Sequence, residues 1–162
     1  MSLFPLKSIS NKPFHMKNMI YAEVALIILF SILVKIFATA YMSFATLAYG
    51  FMLLGVLNRK TSKIHAKFMG SAIFIDLSIV LVLELKRDAV QKALEFSLTF
   101  FQQLHIGMST LALLFYFPIV YLGIKALRTG LTHLERKIHI SLGIIAFVFR
   151  TIGFILMFSM LK

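Results

Sequence analysis

The sequence contains no cysteine. Disulfides, thiolate metal sites and thiol redox chemistry are therefore excluded, and any metal must be held by His, Met or carboxylate. Acidic side chains are also scarce, with 6 Asp and Glu against 17 Lys and Arg and a pI near 10.1. Of the three prolines, Pro5 and Pro13 lie in a basic leading segment and Pro118 falls inside an apolar run. No nucleophile and base arrangement, HExxH, Walker loop, GxGxxG or paired acidic site is present, so hydrolytic catalysis has no support. What the chain offers is ligands and fixed charge, which suit cofactor handling more than bond cleavage.

Apolar residues are abundant. They make up 60% of 162 residues, and the mean hydropathy is +0.92, more than a water-soluble core of this size hides from solvent. The expected class is an all-α integral membrane protein, a single helical bundle with the lipid bilayer as its first partner. A basic stripe on a soluble face would suggest nucleic acid. Here the basic residues gather instead in short runs between apolar segments, where they act as topology signals.

Residues 1–18 read as a basic, irregular tail. From Met19 to Leu57 the sequence stays apolar for too long to be one ordinary span, and Lys35 stands near the middle beside Ala38-Thr39-Ala40. The reading adopted is a peripheral helix over 19–36, a very tight turn, and a second helix over 39–57. A single bent helix is an alternative. So is a secretory signal cut after Ala40, although Lys35 is an awkward ending for one. Further spans are expected over 64–85, 97–124 and 138–161, so that residues 37–162 form a four-helix core.

Charge selects five spans over four. With five, Lys7, Lys12, Lys17, Arg59, Lys60, Lys63, Lys67, Lys125, Arg128, Arg136 and Lys137 share one side. The other side holds Lys35, Lys86, Arg87, Lys92 and Lys162, partly offset by Glu84, Asp88 and Glu95. Four spans would erase this bias. The positive-inside rule then places the N-terminus in the cytoplasm.

The core reads as two pseudo-repeated helical hairpins. SKIHAKFMGSAIFID at 62–76 matches RKIHISLGIIAFVFR at 136–150, and the helix before each ends in Leu-Gly, at Leu54-Gly55 and Leu122-Gly123. His65, Ala72 and Asp76 thereby correspond to His139, Ala146 and Arg150. Eleven residues carry a helix about 20° beyond three turns and about 16 Å along its axis, so each histidine shares a face with its charge. Charge at mid-bilayer is costly, which makes Asp76 and Arg150 candidates for an ion pair facing inward. If repeat-related helices lie diagonally, contact between the two demands a narrow bundle, the reach of Arg150, or water.

His65 and His139 stand level on opposite sides, as axial ligation of a haem or two-histidine binding of a metal requires. Ala72, Gly143 and Ala146 beneath them leave space, or simply let helices approach. Imidazoles at helix ends also bond to carbonyls or headgroups. Met69, one turn from His65, would complete a copper or haem site, and is otherwise core packing. His105, in QQLHIGM at 102–108, has no repeat mate because position 37 is Phe. With Met108 it would form a smaller metal or cofactor site; otherwise it is a satisfied polar group near Gln102 and Gln103. His15 and His133 are expected on loops, in solvent.

HAKFM at 65–69, QLHIGMS at 103–109, RKIHISLG at 136–143 and the late Arg150 resemble the small bacterial membrane proteins of the CtaM type, a domain-of-unknown-function family of haem-copper oxidase assembly factors. The resemblance covers about residues 40–162. It implies a helical bundle with metal- or haem-related His65, His105 and His139, and respiratory oxidase subunits as partners. More distantly, the chain is similar to four-helix membrane cytochromes of the b561 kind. Three functions are therefore expected to compete: a haem- or copper-holding oxidase assembly protein, a bis-histidine membrane cytochrome passing electrons, and a structural subunit with no cofactor.

Overall fold

The computed structural model describes residues 12–87, 91 and 98–160. Five long helices are present among them: α1 Lys12–Phe37, α2 Ala40–Leu57, α3 Ser62–Arg87, α4 Phe100–Arg128 and α5 His133–Met157, followed by a short 3-10 turn at Phe158–Met160. Each is long and apolar enough to cross a bilayer. Large apolar side chains such as Leu26, Phe74, Phe117 and Ile144 are exposed around the bundle, which suits contact with lipid. The protein is an all-helical membrane bundle.

The break between α1 and α2 is short because Thr39 caps α2. Its backbone is extended, with φ −79° and ψ 158°, and its hydroxyl accepts the Met42 N–H at 3.3 Å. The chain therefore turns at Ala38-Thr39 as two helices, not one bent one. At the other end of α2, Asn58 donates its side-chain amide to the Leu54 carbonyl at 2.9 Å and ends the helix.

Hydropathy underestimated three helix ends. α1 begins at Lys12, so residues 12–18 of the expected irregular tail are helical; Pro13 is tolerated there because the first helical N–H groups have no partner to lose. α4 runs on to Arg128 instead of 124, and α5 starts at His133 instead of 138. Between α4 and α5 the cause is polar capping that a hydropathy window cannot see. Thr132 and Glu135 form a reciprocal capping box, Glu135 also pairs with Lys125 across the α4–α5 connection, and Gly130, with φ +82°, supplies the left-handed residue that closes α4. His133 is thus the first residue of a helix, exposed, and not part of a loop. His15 lies within α1, and its side chain is outside the described residues, as are Lys7, Asp88, Lys92, Glu95 and Lys162.

α2 packs on α3, and α4 packs on α5, as two antiparallel hairpins. The ring closes through α2 against α5 and α3 against α4, which leaves α3 and α5 facing each other across the bundle. α1 packs against α2, outside this ring. Small side chains let the backbones approach: Ala48 and Ala72 are fully buried, and Ala112 and Ala146 nearly so. At the centre Met52 is 1% exposed and packs with Ala72, Ile73, Tyr116, Ile119 and Ala146. A second apolar cluster joins Val34 of α1 to Met42, Ala45 and Met157.

Candidate cofactor site and buried ion pair

Asp76 of α3 and Arg150 of α5 meet directly across the diagonal. Arg150 donates from Nε to Asp76 Oδ2 at 2.7 Å and from Nη2 to Oδ1 at 2.6 Å, a two-point contact between planar groups. Both residues are buried, and the Tyr116 hydroxyl of α4 adds a third bond to Asp76 Oδ2 at 3.0 Å. Narrow packing around Ala72 and Ala146, together with the length of the arginine side chain, removes the need for bridging water. Tyr116 was missed in the sequence because an aromatic in an apolar helix carries no signal that its hydroxyl reaches a charge.

This contact fixes the level of the histidines. His65 and His139 each lie eleven residues toward the other end of their helices, so both stand about 16 Å from the ion pair, at the end where α2 and α4 finish. Each imidazole is turned against a glycine of its own hairpin. His65 Nδ1 is 2.7 Å from the Gly55 carbonyl oxygen; because a carbonyl only accepts, this nitrogen carries a proton, which in a neutral imidazole leaves the lone pair on Nε2. His139 lies beside Gly123, its Cε1 3.7 Å from where a Cβ on that glycine would stand. The Nδ1 of His139 is buried without a hydrogen-bond partner, although the Ile119 carbonyl acts on the ring from nearby.

Leu54-Gly55 of α2 and Leu122-Gly123 of α4 thereby each lie beside one imidazole, His65 bonded to the Gly55 carbonyl and His139 in van der Waals reach of Gly123. Met69 also lies beside Gly55: its sulfur sits 2.6 Å from the position a Gly55 Cβ would occupy. It is also packed on the central cluster, so it serves the core while lying one turn from His65. The space expected above Ala72 and Ala146 is filled at their own level by Met52 and Ile119, so any guest of the histidines lies nearer the helix ends. Among the described residues no group of three or more His, Cys, Asp or Glu is placed to hold a metal ion.

His105 is not brought to this pair. Its Nδ1 donates to the Gly153 carbonyl at 2.6 Å, three residues beyond Arg150 on the opposite side of the ion pair from His139. It lines a cavity of about 240 Å³ whose floor is formed by Asp76 and Arg150. Ser109, one turn along α4, presses its hydroxyl on Gly153 and has no hydrogen-bond partner.

This close approach makes a prediction. A Cβ on Gly153 would meet the Ser109 hydroxyl at 2.7 Å, so Gly153→Ala is expected to destabilise the bundle by about 1–3 kcal/mol. Ser109→Ala removes a buried hydroxyl with nothing to lose and is expected to be neutral or stabilising. The double variant should then recover part of the Gly153→Ala loss in a thermal melt in detergent; strictly additive effects would show that the two positions do not touch.

Comparison of the chain with protein-family models, with curated proteins and with solved structures finds no match.

Proposed function

We propose that this chain is a multi-pass protein of a bacterial cytoplasmic membrane that holds a haem iron or a copper ion through His65 and His139 and assists the maturation of a respiratory haem-copper oxidase. The observation that carries the reading is the pair of imidazoles set beside glycines: His65 against Gly55 and His139 against Gly123, on helices that stand across the bundle. The Nδ1–H bond of His65 to a carbonyl orients the ring and directs Nε2 to a metal, the usual supporting contact of a ligating histidine. His139 brings its imidazole to the same end of the bundle, beside Gly123.

The donors fit the group. His65 and His139 would hold a haem iron or, with the Met69 thioether nearby, a copper ion of the soft kind. Such a group, when bound, would supply one-electron chemistry or a metal for transfer. The protein's own part is to orient the imidazoles and to close the core beneath them with Met52. Arg59, Lys60, Lys63, Lys67, Lys125, Arg128, Arg136 and Lys137 cluster at the same end, which favours a cytoplasmic placement for it and for the N-terminus. The oxidase as partner rests on the resemblance of HAKFM, QLHIGMS and RKIHISLG to the CtaM-type proteins.

The test is an absorption spectrum with metal analysis of the full chain purified in detergent, before and after incubation with haem or copper(I). Partial occupancy that rises on loading, and falls at least about tenfold in affinity in His65→Ala and His139→Ala, is the expected result. Colourless, metal-free protein that cannot be loaded would end the proposal. The oriented His65 ring equally suits a permanent b-type haem; in that case the protein is red as purified, with a sharp reduced alpha band lost in both variants.

A further inference from the structure

The cavity at the opposite end of the bundle is not used by the histidine pair. It is bounded by the second half of α3, the first half of α4, and residues of α2 and α5. Its rim includes the exposed Thr39 and Val80, and it closes inward on Asp76 and Arg150. Val80 on the rim belongs to a helix long and apolar enough to span a membrane, so a guest dissolved in the bilayer can reach the space beside it.

Size and chemistry narrow the class. A cavity of about 150 Å³ lined by apolar side chains holds benzene, so the 240 Å³ here admits a substituted ring. Met42 and Met157 flank the space with polarizable thioethers, which favour contact with an aromatic ring. At the floor the guanidinium is neutralised by Asp76, which favours a neutral guest over an anion. Besides the Ser109 hydroxyl, which lines the same space, two bonding positions matter. The guanidinium of Arg150 lines the space and, beyond its two bonds to Asp76, can donate to a ligand oxygen. His105 uses Nδ1–H on Gly153, so its Nε2 is left to accept a proton-bearing oxygen.

We propose that this cavity binds the ring of a membrane quinol. One ring oxygen accepts from Arg150, and the hydroxyl across the ring donates to His105 Nε2. The apolar tail leaves past Val80 into lipid. A quinone, which has no hydroxyl to give His105, binds the same seat more weakly.

The test is calorimetric titration of the purified full chain in phosphatidylcholine nanodiscs with a decyl-tailed benzoquinol and with the corresponding benzoquinone. Saturable binding of the quinol near one per chain is expected, with the quinone weaker. His105→Asn keeps an amide donor for the Gly153 carbonyl but lacks the far ring nitrogen; it should weaken the quinol about five- to tenfold and leave the melting midpoint unchanged. Ala45→Phe fills the cavity and should abolish binding, and if it lowers the midpoint, His105→Asn decides alone. Uptake that never saturates, or equal affinity in wild type and His105→Asn, means partition into the lipid only and overturns the proposal.

Discussion

Asp76→Ala is expected to cost the bundle about 3–5 kcal/mol, the largest loss of any single truncation considered for this protein. The carboxylate receives two bonds from Arg150 and one from Tyr116, and its removal strands a guanidinium at a site only 6% exposed. Arginine has no neutral form to retreat to. Arg150→Met should cost less, because a carboxyl without its partner can bind a proton and lose its charge. The pair itself need not be a net source of stability: in Asp76→Leu/Arg150→Met both charges disappear together, and most of the loss should return. Tyr116→Phe should cost about 1 kcal/mol, the worth of one hydrogen bond. Unfolding in mixed micelles with increasing dodecyl sulfate measures all four. Equal midpoints for wild type and Asp76→Ala would show that the ion pair does not hold α3 to α5.

Met52→Ala is the second large effect, expected near 2 kcal/mol. In a water-soluble core such a truncation costs about 2–5 kcal/mol, part of it lost transfer from water and part the cavity left behind. Within a bilayer the first part largely vanishes, because separated helices are surrounded by lipid tails as apolar as the core. The second part remains: Met52 is 1% exposed among Ala72, Tyr116, Ile119 and Ala146, and its removal takes contacts from the other three ring helices. Phe74, 72% exposed, is the control, since lipid replaces its ring as readily as it surrounded it. If Phe74→Ala and Met52→Ala shift the unfolding midpoint equally, packing inside the ring is not what holds the helices together.

The proposed cofactor role and the proposed quinol seat use opposite ends of one bundle. The ion pair lies between them, with His65 and His139 on one side and His105 on the other. His65→Ala should therefore leave quinol binding intact, and His105→Asn should leave metal or haem loading intact. Either result can fail without the other.

Much of the architecture was legible in the sequence because a bilayer imposes a simple rule: stretches of about 20 apolar residues must satisfy their own backbone as helices. The same rule blurred the ends. Thr132 and Glu135 extend α5 by hydrogen bonding, and Gly130 closes α4 by its backbone conformation, neither of which hydropathy measures. Helical phase put Asp76 and Arg150 on inward faces at a common depth, and it put His65 and His139 eleven residues away from them.

What the sequence by itself determined was which residues share a face and a depth, since rise and turn per residue are properties of the helix alone. The tertiary structure decided which faces meet. Only the ring order of the helices carries Arg150 across the diagonal to Asp76 and brings Tyr116 to the same carboxylate. Those contacts depend on side-chain volumes at places such as Ala72, Gly55 and Gly153, where the absence of bulk lets a ring, a thioether or a hydroxyl settle against a neighbouring helix. Periodicity along one chain segment carries no record of that fit.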